Sequence, residues 1–491
     1  MWTRIALIVA LGANLANAQQ IPDRPEKLAF DTLKFQMPRA KDFKAKLKNG
    51  IPVYVASEPE GAPLVRIGLR WRGGGYMDPK GKEGLAQIFG SQFAHGGTAR
   101  LSPAQMEDRL EDLAASISSN CSETSGTLSM QVLEKDFPEV LGLFMEVLTQ
   151  PAFAQDRFDL AKRSLRQGMD RRNDSVTTIA PAQMNRLLHG NTHFAALDPT
   201  ATSLEAITPD DLKAFHARLM HPGNFMVTIS GRFDRKTMLD KLNATLGTLK
   251  PGKDAQVSPK IPAPDHARKP GIYVVDKEAP QAMLQWAFPG MRRSDPDWHA
   301  AYVMNQILGA SGFTSRLTKK IRSDEGLTYG VRTALGEGAH WRGDFTGGLQ
   351  TSNTSVAYAM RLALAEMQRL KDVPVPMTEL KVLKDGLCEA FPGNWSDKRT
   401  VANIFANEAL AGWAEDWSAD FREKIQAVTP ADIQRMALKL LALDKLQILA
   451  AGKAKEIEAG DPDHPGALKD ITPLPILRLP LLDPLTLKPK N

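Results

Sequence analysis

Few residues in this chain have the type and spacing to do chemistry. His189 and His193 stand four apart, a spacing that sets two imidazoles on one helix face and lets them share a metal ion. Gly190 and Asn191 between them make the segment turn-like, and no Glu lies between to act as a base. Two surface histidines is therefore the plainer reading. His216 and His221 bracket a predicted helix end, where imidazole complements the dipole, and His95 is solitary in a loop. Cys121 and Cys388 are too few for a thiolate zinc site or a disulfide scaffold. They either pair across a very long loop in an oxidising compartment or remain two separately buried thiols. Arg322 and Tyr329, in IRSDEGLTY, bring a permanent cation with a fork of donors and a phenolic O–H. Such donors can steady an oxyanion without a metal. Spacing alone says little, since an Arg on a helix and a Tyr on the following strand mostly serve packing.

The elements that must position these residues are organised by a duplication. Residues 204–231, LEAITPDDLKAFHARLMHPGNFMVTISG, align without a gap to 425–452, IQAVTPADIQRMALKLLALDKLQILAAG. In each copy a Thr (Thr208, Thr429) is placed to cap a helix, a Pro follows at the first helical position, and an Asp (Asp211, Asp432) lies in the first turn. An amphipathic helix and an apolar strand ending at Gly (Gly231, Gly452) complete the unit. A repeat of this length means two homologous globular halves, not a solenoid. The halves are placed at 40–255 and 268–460, joined by a Pro-rich linker at 256–267. In the first, strands are predicted at 53–56, 64–71, 126–132 and 226–229. Helices are predicted at 84–93, 103–115, 137–148, 156–172 and 209–219. The fold class is α+β, with helices packed on one face of a largely antiparallel sheet.

Composition narrows the function classes. With 43% hydrophobic residues among 491, the chain can bury sizeable cores. The formal net charge of +6 is dispersed, with no block of like charge to form a nucleic-acid arm. Residues 1–18 read as a signal peptide: Arg4, an apolar run at 5–11, and an Ala16-Asn17-Ala18 cleavage site. No later run is apolar for the ~18 residues of a membrane span. The expected destination is the periplasm or the cell exterior. The end of the chain, 461–491, is rich in Pro with Leu and Ile between, which disfavours helix and central strand. It is either an extended strap over a groove, the chain's own or a partner's, or a loosely ordered tail.

Two segments carry a family resemblance. Arg72–Arg100, RGGGYMDPKGKEGLAQIFGSQFAHGGTAR, and Leu308–Val331, LGASGFTSRLTKKIRSDEGLTYGV, resemble the two domains of the M16 peptidases, the family of pitrilysin, insulin-degrading enzyme and mitochondrial processing peptidase. The resemblance implies two homologous domains of the processing-peptidase type. It also implies an H-x-x-E-H zinc motif at 87–91, but here those positions hold Gln87, Ile88, Phe89, Gly90 and Ser91. An amide and a hydroxyl are poor zinc ligands beside imidazole, and Gly90 cannot be a base. The family's third ligand, a later Glu, falls at 165–169, where there is no carboxylate, although Asp159 and Asp170 flank the stretch. The metal site is expected to be absent, with no cofactor in this chain.

What remains is the pair Arg322 and Tyr329, which in the family reaches the peptide held at a zinc centre. Gly309, Gly312, Ser315 and Arg316 are expected to shape the same substrate wall. The resemblance thus implies a catalytically silent subunit of an exported heterodimer. Its partner would be an M16-type subunit carrying H-x-x-E-H and zinc, and its substrate a peptide or unfolded protein. A non-catalytic peptide-binding or scaffold protein, and an active peptidase with a rebuilt site, stand as alternatives.

Overall fold

Alternation shapes most of the strands. In the computed structural model, which describes residues 35–490 apart from Gln256 and Pro465, the first half holds six. They are β1 (Lys44–Lys46), β2 (Pro52–Ser57), β3 (Leu64–Arg72), β4 (Ser116–Cys121), β5 (Ser125–Leu133) and β6 (Phe225–Gly231). The putting-inside of every second residue is clear in β3, where Val65, Ile67, Leu69 and Trp71 are buried. The sheet runs β1-β2-β6-β3-β5-β4, and only β2 and β6 pair parallel. The signal-peptide stretch 1–18 lies outside the described residues.

The second half repeats the pattern with β7 (Gly271–Asp276), β8 (Gln281–Pro289), β9 (Val331–Leu335), β10 (Asp344–Ser352), β11 (Gln447–Gly452) and β12 (Ile476–Leu479). The order is β12-β7-β11-β8-β10-β9, with β7 parallel to β11 and to β12. The two capping boxes form as matched pairs. Thr208 and Asp211 bond reciprocally at the start of helix Pro209–Leu219, and Thr429 and Asp432 do so at Pro430–Leu440. Each sheet packs its own helices over one face in a separate apolar core.

The opposite faces are closed by an exchange. Helix Val176–His189, from the first half, lies on β8 and β11 of the second. Its Val176, Ile179, Ala180, Met184 and Leu188 are buried with Tyr273, Val275, Ala287, Leu449 and Ala451. Helix Lys398–Leu410, from the second half, lies on β2 and β6 of the first. The exchange accounts for the burial of β6 and β11 at every residue, including the polar Thr228, Ser230 and Gln447. Cys121 and Cys388 sit in the two different cores as free thiols, so no bridge joins them.

The Pro-rich end is a strap over its own molecule. Pro475 and Pro480 flank β12, which takes the sheet edge beside β7, the position that Pro tolerates. Beyond it, Asn173 donates to the Leu482 carbonyl (2.7 Å), Arg172 to that of Pro484 (2.9 Å), and the Ala201 N–H to that of Leu485 (2.8 Å). The strap therefore clamps both halves. Deleting 472–491 is expected to lower the melting temperature and to promote association through the bared β7 edge, seen by calorimetry and light scattering. Among the described residues no helix is long and apolar enough to cross a membrane.

Candidate functional site

Helix Leu85–Gln92 carries the positions where a zinc motif is expected. Its N-cap, Gly84, has φ 102°, and no cap side chain serves it. Asp78 substitutes from the preceding turn: its carboxylate accepts the N–H groups of Gly84 (3.0 Å) and Ala86 (2.9 Å). Burial, the dominant cause, pushes Asp78 up to about 7, against those two hydrogen bonds. A carboxyl raised in the folded state favours folding at acid pH, and that contribution is lost as pH rises from about 4 through 7. Asp78→Asn should accordingly gain stability relative to the parent over that window and level off above it, as followed by thermal melts.

The helix is seated backbone to backbone on β4. Ser119 Oγ donates to the Gly90 carbonyl (2.6 Å) and accepts from the Ala94 N–H (2.9 Å). A Cβ at Gly90 would lie 2.2 Å from the Cys121 nitrogen, so the site of the expected catalytic carboxylate has no room for a side chain. Gln87 and Ser91 are exposed, and Ser91 Oγ donates to the Ile88 carbonyl of its own helix (2.8 Å). Helix Gln155–Asp170 packs across this one and presents Leu165 near Gly84. Asp159 is bonded by Gln155, and Asp170 faces Arg166 at 3.7 Å. Among the described residues no group of three or more His, Cys, Asp or Glu is placed to hold a metal ion. These residues do not fit zinc.

The histidine readings need correcting. His189 and His193 are not surface residues: the side chain of His189 is 11% exposed and His193 is 9% exposed. They are buried because the second half covers them, with Trp341 edge-on to both rings. Desolvation first, then Arg268, lowers His189 to about 4. His216 is also inside, its Nε2 2.8 Å from the Leu148 carbonyl and its ring edge-on to Phe93 and Phe153. Burial lowers its pKa, so packing and that hydrogen bond, rather than a helix dipole, explain it.

In the second half, helix Trp298–Asn305 continues as a π-helical turn, Gln306–Ala310. Gly309 is pressed on β9, where an added Cβ would come 2.6 Å from Thr333 Oγ1, while Gly312 turns the chain at φ +64° in open space. Ser315 is fully buried, its hydroxyl donating to the Gly312 carbonyl (2.8 Å) and sharing a hydrogen bond with the Thr318 hydroxyl (2.9 Å). Arg316 is held by two hydrogen bonds to Glu379 (2.9 and 2.8 Å). Gly309, Ser315 and Arg316 thus build the segment internally and are not free to meet a substrate. Arg322 lies over Phe313 at 4.6 Å and has no ion-pair partner among the described residues. Tyr329, just before the edge strand β9, is 92% exposed.

The family model described as insulinase (peptidase family M16) matches residues 54–195, and that described as the peptidase M16 inactive domain matches 206–387. The chain belongs to peptidase family M16. Its duplicated halves correspond to the family's paired domains. A Helicobacter pylori protein described as the non-peptidase homolog YmxG is 28% identical over 305 residues, covering 61% of this chain and 69% of the relative. A probable mitochondrial-processing peptidase subunit beta of Arabidopsis thaliana is 20% identical over 428 residues, covering 84% and 78%. Among solved structures, an M16 inactive domain from Pseudomonas fluorescens superposes with a TM-score of 0.73 at 25% identity, covering 84% of this chain and 97% of that one. The positions expected to hold the zinc motif are occupied by Gln87, Gly90 and Ser91, and the chain is similar both to a relative described as a non-peptidase homolog and to a structure described as an M16 inactive domain.

One structural residue escaped the sequence reading. Asp78 was visible only as an acid six residues before Gly84, a weak signal because its capping contact depends on the turn between them.

Proposed function

We propose that this chain is the catalytically silent subunit of an exported, heterodimeric M16 zinc peptidase. The partner subunit carries H-x-x-E-H and the zinc, and this chain contributes Arg322, Tyr329 and half of a chamber for peptides or unfolded protein. The observation that carries the reading is the contrast between the two halves. The motif helix is packed so that no base can return at Gly90, whereas Arg322 has no carboxylate partner among the described residues and Tyr329 projects into solvent. A guanidinium and a phenol so presented can donate to an oxyanion that forms on a partner's substrate. Export to the periplasm follows from the signal-like residues 1–18.

Mixing the chain with an H-x-x-E-H subunit from the same organism tests this. Cleavage should need both chains and added zinc, and Tyr329→Phe should lower kcat about a hundredfold, the scale of losing one oxyanion donor. Zinc-dependent cleavage by the isolated chain, or an unchanged rate with Tyr329→Phe, would refute it. Binding of peptides with no partner able to restore cleavage would favour the scaffold reading instead.

A further inference from the structure

The C-terminal strap forms one wall of a cavity of about 730 Å³ that neither Gln87 nor Arg322 lines. Leu477, Leu479, Pro480, Leu482, Leu487 and Pro489 come from the strap. Leu187, near the end of helix Val176–His189, and Ala196 and Leu197, in the loop beyond it, add apolar surface from the first half. The strap is shaped for this wall. After Leu482 the chain doubles back: the Asp483 N–H donates to the Lys488 carbonyl and the Lys490 N–H to that of Leu481, both at 2.8 Å. Within that turn Leu487 takes φ +56°, the left-handed region that a bulky residue seldom enters. Strain of this kind persists where the surroundings over-determine it, and here it sets Leu487 beside Leu482 on the cavity wall.

Leu197 and Leu477 are 41% and 40% exposed, and both line this cavity. A lone exposed leucine is ordinary, but two in one concave wall, within the size range of small-molecule sites, leave apolar surface for a ligand to cover. The polar groups around them are largely spent inside the protein. Arg186 pairs with Asp198 (2.6 Å), the Tyr273 hydroxyl donates to the Lys269 carbonyl (2.7 Å), and Thr200 accepts from the Ser203 N–H (3.1 Å). The charges also balance: once Arg186 and Asp198 cancel, Lys269 and Glu83 remain with opposite signs. A smaller space of about 200 Å³ shares Leu482 and Leu487 with the first and extends it alongside the strap.

We propose that this cavity binds the single unbranched acyl chain of an uncharged amphiphile of the monoacylglycerol class. The chain covers Leu197, Leu477 and Leu487 and takes their exposed area out of water, which is the gain that holds it. The head group stays at the rim, where Asn191, His266 and Lys269 are exposed. A peptide fits less well, because each of its residues brings an N–H and a carbonyl and the lining has few groups left to meet them. A charged head gains nothing from a lining whose charges cancel. The site is complete in this chain and needs no zinc-bearing partner.

The test is a titration of the purified full chain with 1-decanoylglycerol below its micellar concentration, read by calorimetry and by the rise in melting temperature that a ligand of the folded state causes. Saturable binding near one equivalent is expected, roughly tenfold tighter than that of 1-octanoylglycerol. Leu197→Gln and Leu477→Gln should each weaken it roughly tenfold. Both side chains are already partly in water, and Leu477 pairs in β12 through its backbone, so both variants should keep the parent's circular dichroism and melting profile. Absence of saturable binding overturns the proposal. So does an affinity unchanged in either folded variant, or one that does not rise with chain length. Tighter binding of decanoate or of decyltrimethylammonium than of decanoylglycerol overturns the assignment of an uncharged head.

Discussion

Rewriting Gln87, Gly90 and Ser91 as His, Glu and His is expected to yield an unstable protein and no peptidase. The cost resides at one position. Helix Leu85–Gln92 meets β4 through Gly90, where a Cβ would sit 2.2 Å from the Cys121 nitrogen and 2.9 Å from the Asn120 carbonyl carbon. These are backbone atoms in a paired strand, so they cannot swing aside as a side-chain tip could. Ser119 ties the same helix to the same strand from both directions. Overpacking of this kind costs typically about 1–3 kcal/mol and occasionally more. Gly90→Glu adds to it a carboxylate pushed against a buried backbone. Gln87→His with Ser91→His, both at exposed positions, should stay within about 0.5 kcal/mol of the parent. Comparing melts of the double and triple variants isolates Gly90. A triple variant that melts with the parent, binds one zinc and cleaves peptide would show that the packing is more yielding than the geometry indicates.

The second large effect comes from the exchanged helices. Phe405, on helix Lys398–Leu410, is 2% exposed and meets Phe43 at 5.7 Å, Tyr54 at 6.5 Å and Trp395 at 5.5 Å between ring centres. It comes from the second half but closes the first. Phe405→Ala should cost about 3–5 kcal/mol, the range for deleting a buried aromatic side chain. The loss should appear as one cooperative transition for the whole chain, because each sheet depends on a helix from the other half. Two separate transitions in a denaturation curve, with only one moved by the substitution, would argue that the halves are stable without the exchange. For the same reason residues 37–255 expressed alone should be poorly soluble, since the face of β2 and β6 that helix Lys398–Leu410 covers, with Tyr54, Ala56 and Met226 on it, would be bared.

Much of the scaffold was legible in the residues themselves. β3 shows itself by alternation, and the capped helices at 209–219 and 430–440 by Thr-Pro and an Asp three residues after the Thr. β4 was not legible. Its sequence, SISSNC, buries little beyond Ile117 and Cys121, so a polar edge strand reads as loop. Helix Val176–His189 was not predicted either, having Pro181 within it and an apolar face whose partner strands are β8 and β11.

The residue types at 87, 90 and 91 were enough to remove zinc ligands and a base, because coordination and proton transfer depend on side-chain chemistry that no fold can restore to Gln, Gly and Ser. The duplication and its caps were also local, hence readable along the chain. What only the tertiary structure decided was which residues are committed and which are free. Ser315 and Arg316 look like substrate contacts in a line of text, yet one is buried and the other is held by Glu379. His189 and His193 look exposed until Trp341 covers them from the other half. The strap could have served a partner until β12 joined its own sheet. Each of these outcomes rests on contacts between residues far apart in the chain, and the energy of burial or pairing depends on a neighbour that local sequence does not name.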